Sequence, residues 1–158
     1  MKTNKKKNTE IIKVITEKLL ALMKIEATVE TDEDKDNDAL LVNISALQES
    51  GLIIGSRGRT LNSLQVVLGM IYKKETGEWR RIMVDVSGWR DKERERLINL
   101  AEVTARRAEE TNEAQYLYNL NASQRRIIHL HLAEDSSVKT ESQGEGKDRH
   151  LLVTPVKK

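Results

Sequence analysis

The chain has 158 residues, enough for one ordinary domain or two small ones, and its 38% hydrophobic content with a single proline excludes disorder throughout. The absence of cysteine excludes a disulfide framework, thiolate zinc sites, iron–sulfur clusters and a cysteine nucleophile. The formal charge of +2 hides a segregation of 27 basic and 25 acidic side chains: acids crowd Glu26 to Asp38, whereas Arg57, Arg59, Lys73, Lys74, Arg80 and Arg81 follow. One surface is therefore expected to be basic and another to repel polyanions.

Lys2, Lys5, Lys6 and Lys7 imitate the start of a signal peptide, but Glu10, Lys13, Glu17 and Lys18 break the stretch behind them. Residues 1–8 are read as a flexible basic tail. No run approaches the roughly 20 apolar residues of a spanning helix, so no membrane insertion and a cytoplasmic location are expected. Residues 9–24 place Ile11, Ile12, Ile15, Leu19, Leu22 and Met23 at helical spacing. Residues 25–31 and 39–45 predict two antiparallel strands around a solvated acidic loop. A short helix through Leu47 and Leu52 leads to Gly55. A longer one carries Leu61, Leu64, Leu68 and Ile71 and ends near Gly77, and residues 80–86 alternate as a strand. The order α-β-β-α-α-β closes at Ser87-Gly88.

A second unit begins at Trp89 with a long helix whose outer face is charged. A strand over 115–120, a helix over about 123–132 and strands near 138–142 and 150–154 follow, the last two joined by a glycine-containing turn.

Three stretches bear on chemistry. Ile54-Gly55-Ser56-Arg57-Gly58-Arg59-Thr60-Leu61 is a G-x-x-G between two predicted helices. Glycines at both corners let another backbone approach without a Cβ in the way, and the helix that follows offers unpaired N–H groups and the positive end of its dipole, which suits phosphate. Arg125-Arg126-Ile127-Ile128-His129 puts Arg125 and His129 on one helix face, where a guanidinium fork and an imidazole suit phosphate or carboxylate; a solvated helix face is the plainer reading. Asp32, Asp34 and Asp36 imitate the start of a calcium loop, but Asn37 and Asn43 stand where its glycine and closing glutamate belong. No metal site or cofactor is expected, and no phosphate-binding lysine loop or dinucleotide fingerprint is present. Only five aromatic residues occur, none of them phenylalanine, which argues against a base-stacking sheet of the RRM kind.

The glycine loop in its setting resembles the KH domain, and the element order is similar to its type II form. In that family the loop clamps the backbone of about four single-stranded nucleotides beside an apolar groove. The resemblance implies that Gly55, Ser56, Arg57 and Gly58 grip the strand, that Arg57 and Arg59 supply charge, and that Ile54 and Leu61 border the groove, with a place in the core the alternative for either. The second unit, with Ser142 and Arg149 on its last hairpin, resembles the R-three-H domain, named for an Arg-x-x-x-His pattern. It implies a second phosphate contact from Arg125, Arg126, His129 and Arg149. A type II KH domain followed by an R-three-H domain is similar to the bacterial Jag family, also called KhpB or EloR, over about residues 9 to 156.

The expected architecture is thus α+β: a tail over 1–8, a type II KH domain over 9–88 and a smaller R-three-H domain (α-β-α-β-β) over 89–158. The resemblance implies a non-catalytic protein that binds single-stranded RNA, or single-stranded DNA, and acts in control of cell elongation, division or sporulation. Family members often carry a further N-terminal domain and linker, which implies a fragment or a short form. They commonly show a Pro-aromatic pair where Ala122-Ser123 stands here. Two rivals are an adaptor or homodimerisation module for proteins of the elongation machinery, and a nuclease using His129 as general base with Arg125 stabilising the phosphate.

Overall fold

In the computed structural model, which describes residues 2–46 and 48–156, the chain divides into two units with the boundary after Arg90. In the first unit α1 spans Lys2–Leu22, so residues 2–8, expected as a flexible tail, continue the first helix toward the N-terminus. Its apolar positions Ile12 and Leu20 are buried, with Ile11, Ile15 and Leu19 packed beside them. Thr16 stays inside the helix because its hydroxyl donates to the Ile12 carbonyl at 2.7 Å, the usual way a buried threonine satisfies its polar atom.

Strands β1 (Thr28–Asp34) and β2 (Ala39–Ser45) pair antiparallel, from Thr28 opposite Ser45 to Asp34 opposite Ala39. The first strand runs three residues past its expected end, into the acidic stretch. The reason is a tight local turn: the Asp34 carboxylate accepts from the backbone N–H groups of Asp36 and Asn37 and from Asn37 Nδ2 at 2.8–3.1 Å. The same bonds, with the Asn37 side chain first, hold the Asp34 carboxyl below its ordinary pKa. The residues that imitate a calcium loop therefore build a hairpin.

Next come α2 (Ser50–Ile54), a single 3-10 turn at Ser56–Gly58, α3 (Arg59–Thr76) and β3 (Arg81–Val86). Leu47, expected in the short helix, lies outside the described residues. Strand β3 pairs parallel to β2, giving the sheet order β1-β2-β3. A parallel pair needs a crossover, and α2 and α3 supply it. Leu61, Leu64, Leu68 and Tyr72 of α3 are buried in the same apolar cluster as Val42, Ile44, Val84 and Val86 of the sheet. At apolar transfer energies each such fully buried side chain contributes about 2 kcal/mol.

Helix α4 (Trp89–Thr111) begins in the first unit with Trp89 and Arg90, and the second unit is built on the rest of it, whose Leu97, Ala101, Ala105 and Ala108 form one buried stripe. Then follow β4 (Gln115–Leu117), α5 (Ala122–Leu132), β5 (Val138–Gln143) and β6 (His150–Pro155). Strand β4 stops short of the expected 115–120 because the backbone turns at Asn119, where φ is +61°. The sheet order is β4-β6-β5, antiparallel throughout. Its inward face brings Val138, Leu151 and Val153 against Ile128 and Leu132 of α5 and the alanine stripe of α4.

Candidate nucleic-acid interface

The glycine loop is held by residues behind it. Gly55 has φ +68° with ψ −174°, and Gly58 has φ +75°, conformations that side chains rarely adopt. A Cβ on Gly55 would fall on the Thr60 side chain, 2.7 Å from its Cβ, and one on Gly58 would fall on the indole of Trp89. Gly58 is thus demanded by a packed ring as well as by its backbone conformation, whereas the Thr60 side chain that crowds Gly55 is exposed. Between them Ser56 and Arg57 are exposed, and Arg57 itself sits at φ +56°, ψ +34°. A residue other than glycine held left-handed at an exposed corner is a local strain of order 1 kcal/mol.

Helix α3 starts at Arg59 with Gly58 as its N-cap and without a side-chain cap, so its first turn presents backbone N–H groups that no capping side chain occupies. Over 18 residues its aligned dipoles place partial positive charge there. Arg59 is exposed, and its Nε reaches the Ser56 carbonyl at 3.4 Å. The loop therefore offers amide donors, a helix dipole and two guanidinium groups on one open corner, a set that matches phosphate oxygens.

The apolar residues flanking the loop differ from each other. Ile54 is half-buried, with part of its side chain reachable beside the loop. Leu61 is completely buried and packs into the core. It does not border a groove as expected; it supports the start of α3 from inside, because the helical turn after Gly58 points that position at the sheet.

Charge is also redistributed. Arg80, counted by sequence with the basic group, is engaged by the acidic hairpin: its Nη2 lies 2.6 Å from Glu33 Oε1 and 3.0 Å from Asp38 Oδ1. That pairing withdraws one cation and part of the acidic stretch from the electrostatic picture. Arg90 is likewise structural, with Nε donating to the Val84 carbonyl at 2.7 Å and Nη2 to Gln65 Oε1 at 3.0 Å.

In the second unit the predicted residues come from two elements. Asn121 caps α5: its side chain accepts from Gln124 N, while Gln124 Oε1 accepts from Asn121 N, both at 2.9 Å. Gln124 is buried and its Nε2 donates to Glu93 Oε1 at 2.7 Å, which ties the start of α5 to α4. Glu93 is also gripped by both Nε and Nη2 of Arg96, and these bonds, Arg96 first, hold its carboxyl below the usual carboxylate range. Arg125 follows directly. Its Nη1 donates to the Leu120 carbonyl at 2.6 Å, which fixes the guanidinium and leaves its other N–H groups for a ligand.

His129 Nδ1 and Thr140 Oγ1 are 2.6 Å apart, and Arg149 Nε donates to Ser142 Oγ at 3.1 Å. Thr140 and Ser142 are two apart on β5 and therefore share a face, so the histidine from α5 and the arginine just before β6 are brought to neighbouring positions on one strand. Arg126 is exposed one position along the helix from Arg125, turned by about 100° around its axis. Sequence reading found these cations but not Thr140, which holds His129, nor Glu93 and Gln124, which tie the start of α5 to α4, nor the packing of Thr60 and Trp89 against the loop glycines. The capping box at Asn121 and Gln124 was legible as an Asn-x-x-Gln pattern; the others depend on tertiary pairing. Among the described residues no group of three or more acidic or histidine side chains is placed to hold a metal ion, and no helix is long and apolar enough to cross a membrane.

Two protein-family profiles match the chain: the KH domain of KhpA/KhpB over residues 9–86 and the R-three-H domain over residues 95–155. Among curated proteins it is 32% identical over 132 residues to an RNA-binding protein KhpB of Clostridium symbiosum, which covers 84% of this chain and 58% of that protein. It is 33% identical over 109 residues to that of Bacillus subtilis (68% and 52%) and 31% identical over 148 residues to that of Lactiplantibacillus plantarum (92% and 45%). The chain spans about half the length of the curated relatives it matches.

Proposed function

Since the chain belongs to the KhpB (Jag) family, with a KhpA/KhpB-type KH domain followed by an R-three-H domain, we propose that it binds single-stranded RNA and catalyses no reaction on it. The relatives carry the name RNA-binding protein, and that name motivates the ligand. The observation that carries the reading is the open corner at Gly55–Gly58, where Ser56 and Arg57 are exposed and the uncapped start of α3 lies directly behind. Amides, a dipole and guanidiniums recognise phosphates without regard to base, so the first domain grips the strand by its backbone. Arg125, Arg126, His129 and Arg149 supply a second set of phosphate contacts. The nuclease reading lacks a second acid–base group: the hydrogen-bond partner of His129 is the Thr140 hydroxyl, which is no acid–base partner at neutral pH.

The cellular setting is the cytoplasm, and the role is control of cell elongation, division or sporulation, on family resemblance. The adaptor or homodimer reading has one observation of its own. Val66, Met70 and Trp79 are each more than 60% exposed around α3, an apolar surface that the RNA reading leaves unused. Sedimentation of the free chain checks it: a dimer dissociated by Met70→Glu supports a self-association surface, and a monomer removes the homodimer.

Fluorescence anisotropy of a labelled short single-stranded RNA, read at two salt concentrations, tests the RNA reading. Affinity is expected to fall with salt at a log–log slope of about 0.7 per phosphate contacted. An absence of binding, or binding indifferent to salt, contradicts it.

A further inference from the structure

Tyr116, Tyr118 and His150 stand together on the second sheet. Tyr116 of β4 lies opposite Leu152 of β6, and alternation puts Tyr116, Leu152 and His150 on the face turned away from buried Leu151 and Val153. The tyrosine rings are within 14° of parallel with centroids 6.2 Å apart, and the His150 ring lies 4.8 Å from Tyr118 and 5.7 Å from Tyr116. His150 is fixed by Nδ1–H donating to the Asp148 carbonyl at 2.8 Å. Tyr116 and Tyr118 remain 53% and 57% exposed, so the cluster is no part of the core.

Its surroundings suit a nucleobase better than an aliphatic partner. Lys139, opposite Thr154, shares the face, and Lys147 is exposed in the turn before His150, so phosphates attached to a stacked base find cations near by. Glu141 also shares the face and accepts from Gln143 Nε2 at 3.0 Å. A carboxylate and an amide favour the polar edges of a base over a bare phosphate. Thr140 and Ser142, which engage His129 and Arg149, belong to the other face of β5.

We propose that Tyr116, Tyr118 and His150 form a stacking platform for unpaired bases of the RNA strand, on the sheet face opposite the Arg125–His129 contacts. The proposal rests on the RNA-binding reading and adds base contacts on one sheet face to the phosphate contacts on the other. Stacking on aromatic side chains is sequence-tolerant and carries no charge, so it strengthens binding without changing the salt dependence.

The test uses the full chain with two labelled strands of equal length, one single-stranded RNA and one abasic throughout. Tyr116→Leu with Tyr118→Leu is expected to weaken binding of the base-bearing strand about tenfold, with an unchanged salt slope and unchanged binding of the abasic strand; Tyr116→Phe with Tyr118→Phe retains wild-type affinity. In wild-type protein the ring-proton resonances of both tyrosines shift on addition of RNA and stay in place with the abasic strand, a readout that does not depend on any variant folding. Equal affinity of the leucine variant and wild type for RNA, or tyrosine resonances that RNA leaves unmoved, overturns the platform while the phosphate grip stands. A wild type that binds neither strand overturns the RNA reading itself and the platform with it.

Discussion

The indole of Trp89 lies directly behind Gly58, close enough that a Cβ on the glycine would come within 2.7 Å of its Cζ3. The first residue of α4 thereby fixes the far corner of the loop that precedes α3. Gly58→Ala must both hold a left-handed backbone and displace a packed ring, and is expected to destabilise the protein by about 2–4 kcal/mol. The coupling is specific: in a Trp89→Leu background the same substitution should cost only about 1–2 kcal/mol, the backbone part. Urea denaturation of the four proteins measures this, and an equal cost of Gly58→Ala in both backgrounds contradicts the contact.

Arg125 and Arg149 are held by different elements, one by the Leu120 carbonyl and the other by Ser142. If both touch phosphate, Arg125→Ala and Arg149→Ala should each lower the salt slope by about 0.7 and weaken binding of a long strand, with a short strand bound through the glycine loop unaffected. Anisotropy on RNAs of two lengths checks this. Unchanged affinity for the long strand in both variants removes the second domain from the phosphate contacts.

Glu93 links α5 to α4 through Gln124, and its carboxyl is held below the ordinary value of 4.5 mainly by Arg96. A group whose folded pKa is depressed stabilises the protein in its ionised form. That contribution is present above pH 4.5 and is lost as the pH falls through the folded value. Glu93→Gln should therefore lose less stability than wild type on acidification from about pH 5 to about pH 3. Denaturation midpoints followed by circular dichroism across that range report the difference, and parallel curves would show that Glu93 carries no such linkage.

Most elements were legible because their apolar periods are clean: Leu61, Leu64 and Leu68 mark α3, and Ile82, Val84 and Val86 mark β3. The loop was legible through its context: a helical pattern on each side, Ile54 before it, Leu61 after it, and Arg57 and Arg59 in and directly behind it. Features that depend on pairing between distant segments were not. Arg80 reads as a free cation until β1 and β2 bring Glu33 and Asp38 to it. The aromatic cluster was hidden for the same reason: Tyr116 and Tyr118 suggest only one strand face, and His150 joins them because β6, not β5, is the neighbour of β4.

The central claim is that the exposed corner between Gly55 and Gly58 grips the RNA backbone. Ser56→Asp with Arg57→Asp reverses the charge there without touching Thr60, Trp89 or the core. Anisotropy with a short single-stranded RNA at low salt tests it most directly: the double variant should bind at least about tenfold more weakly than wild type, with its thermal midpoint nearly unchanged. Equal affinity of the two proteins would contradict the assignment.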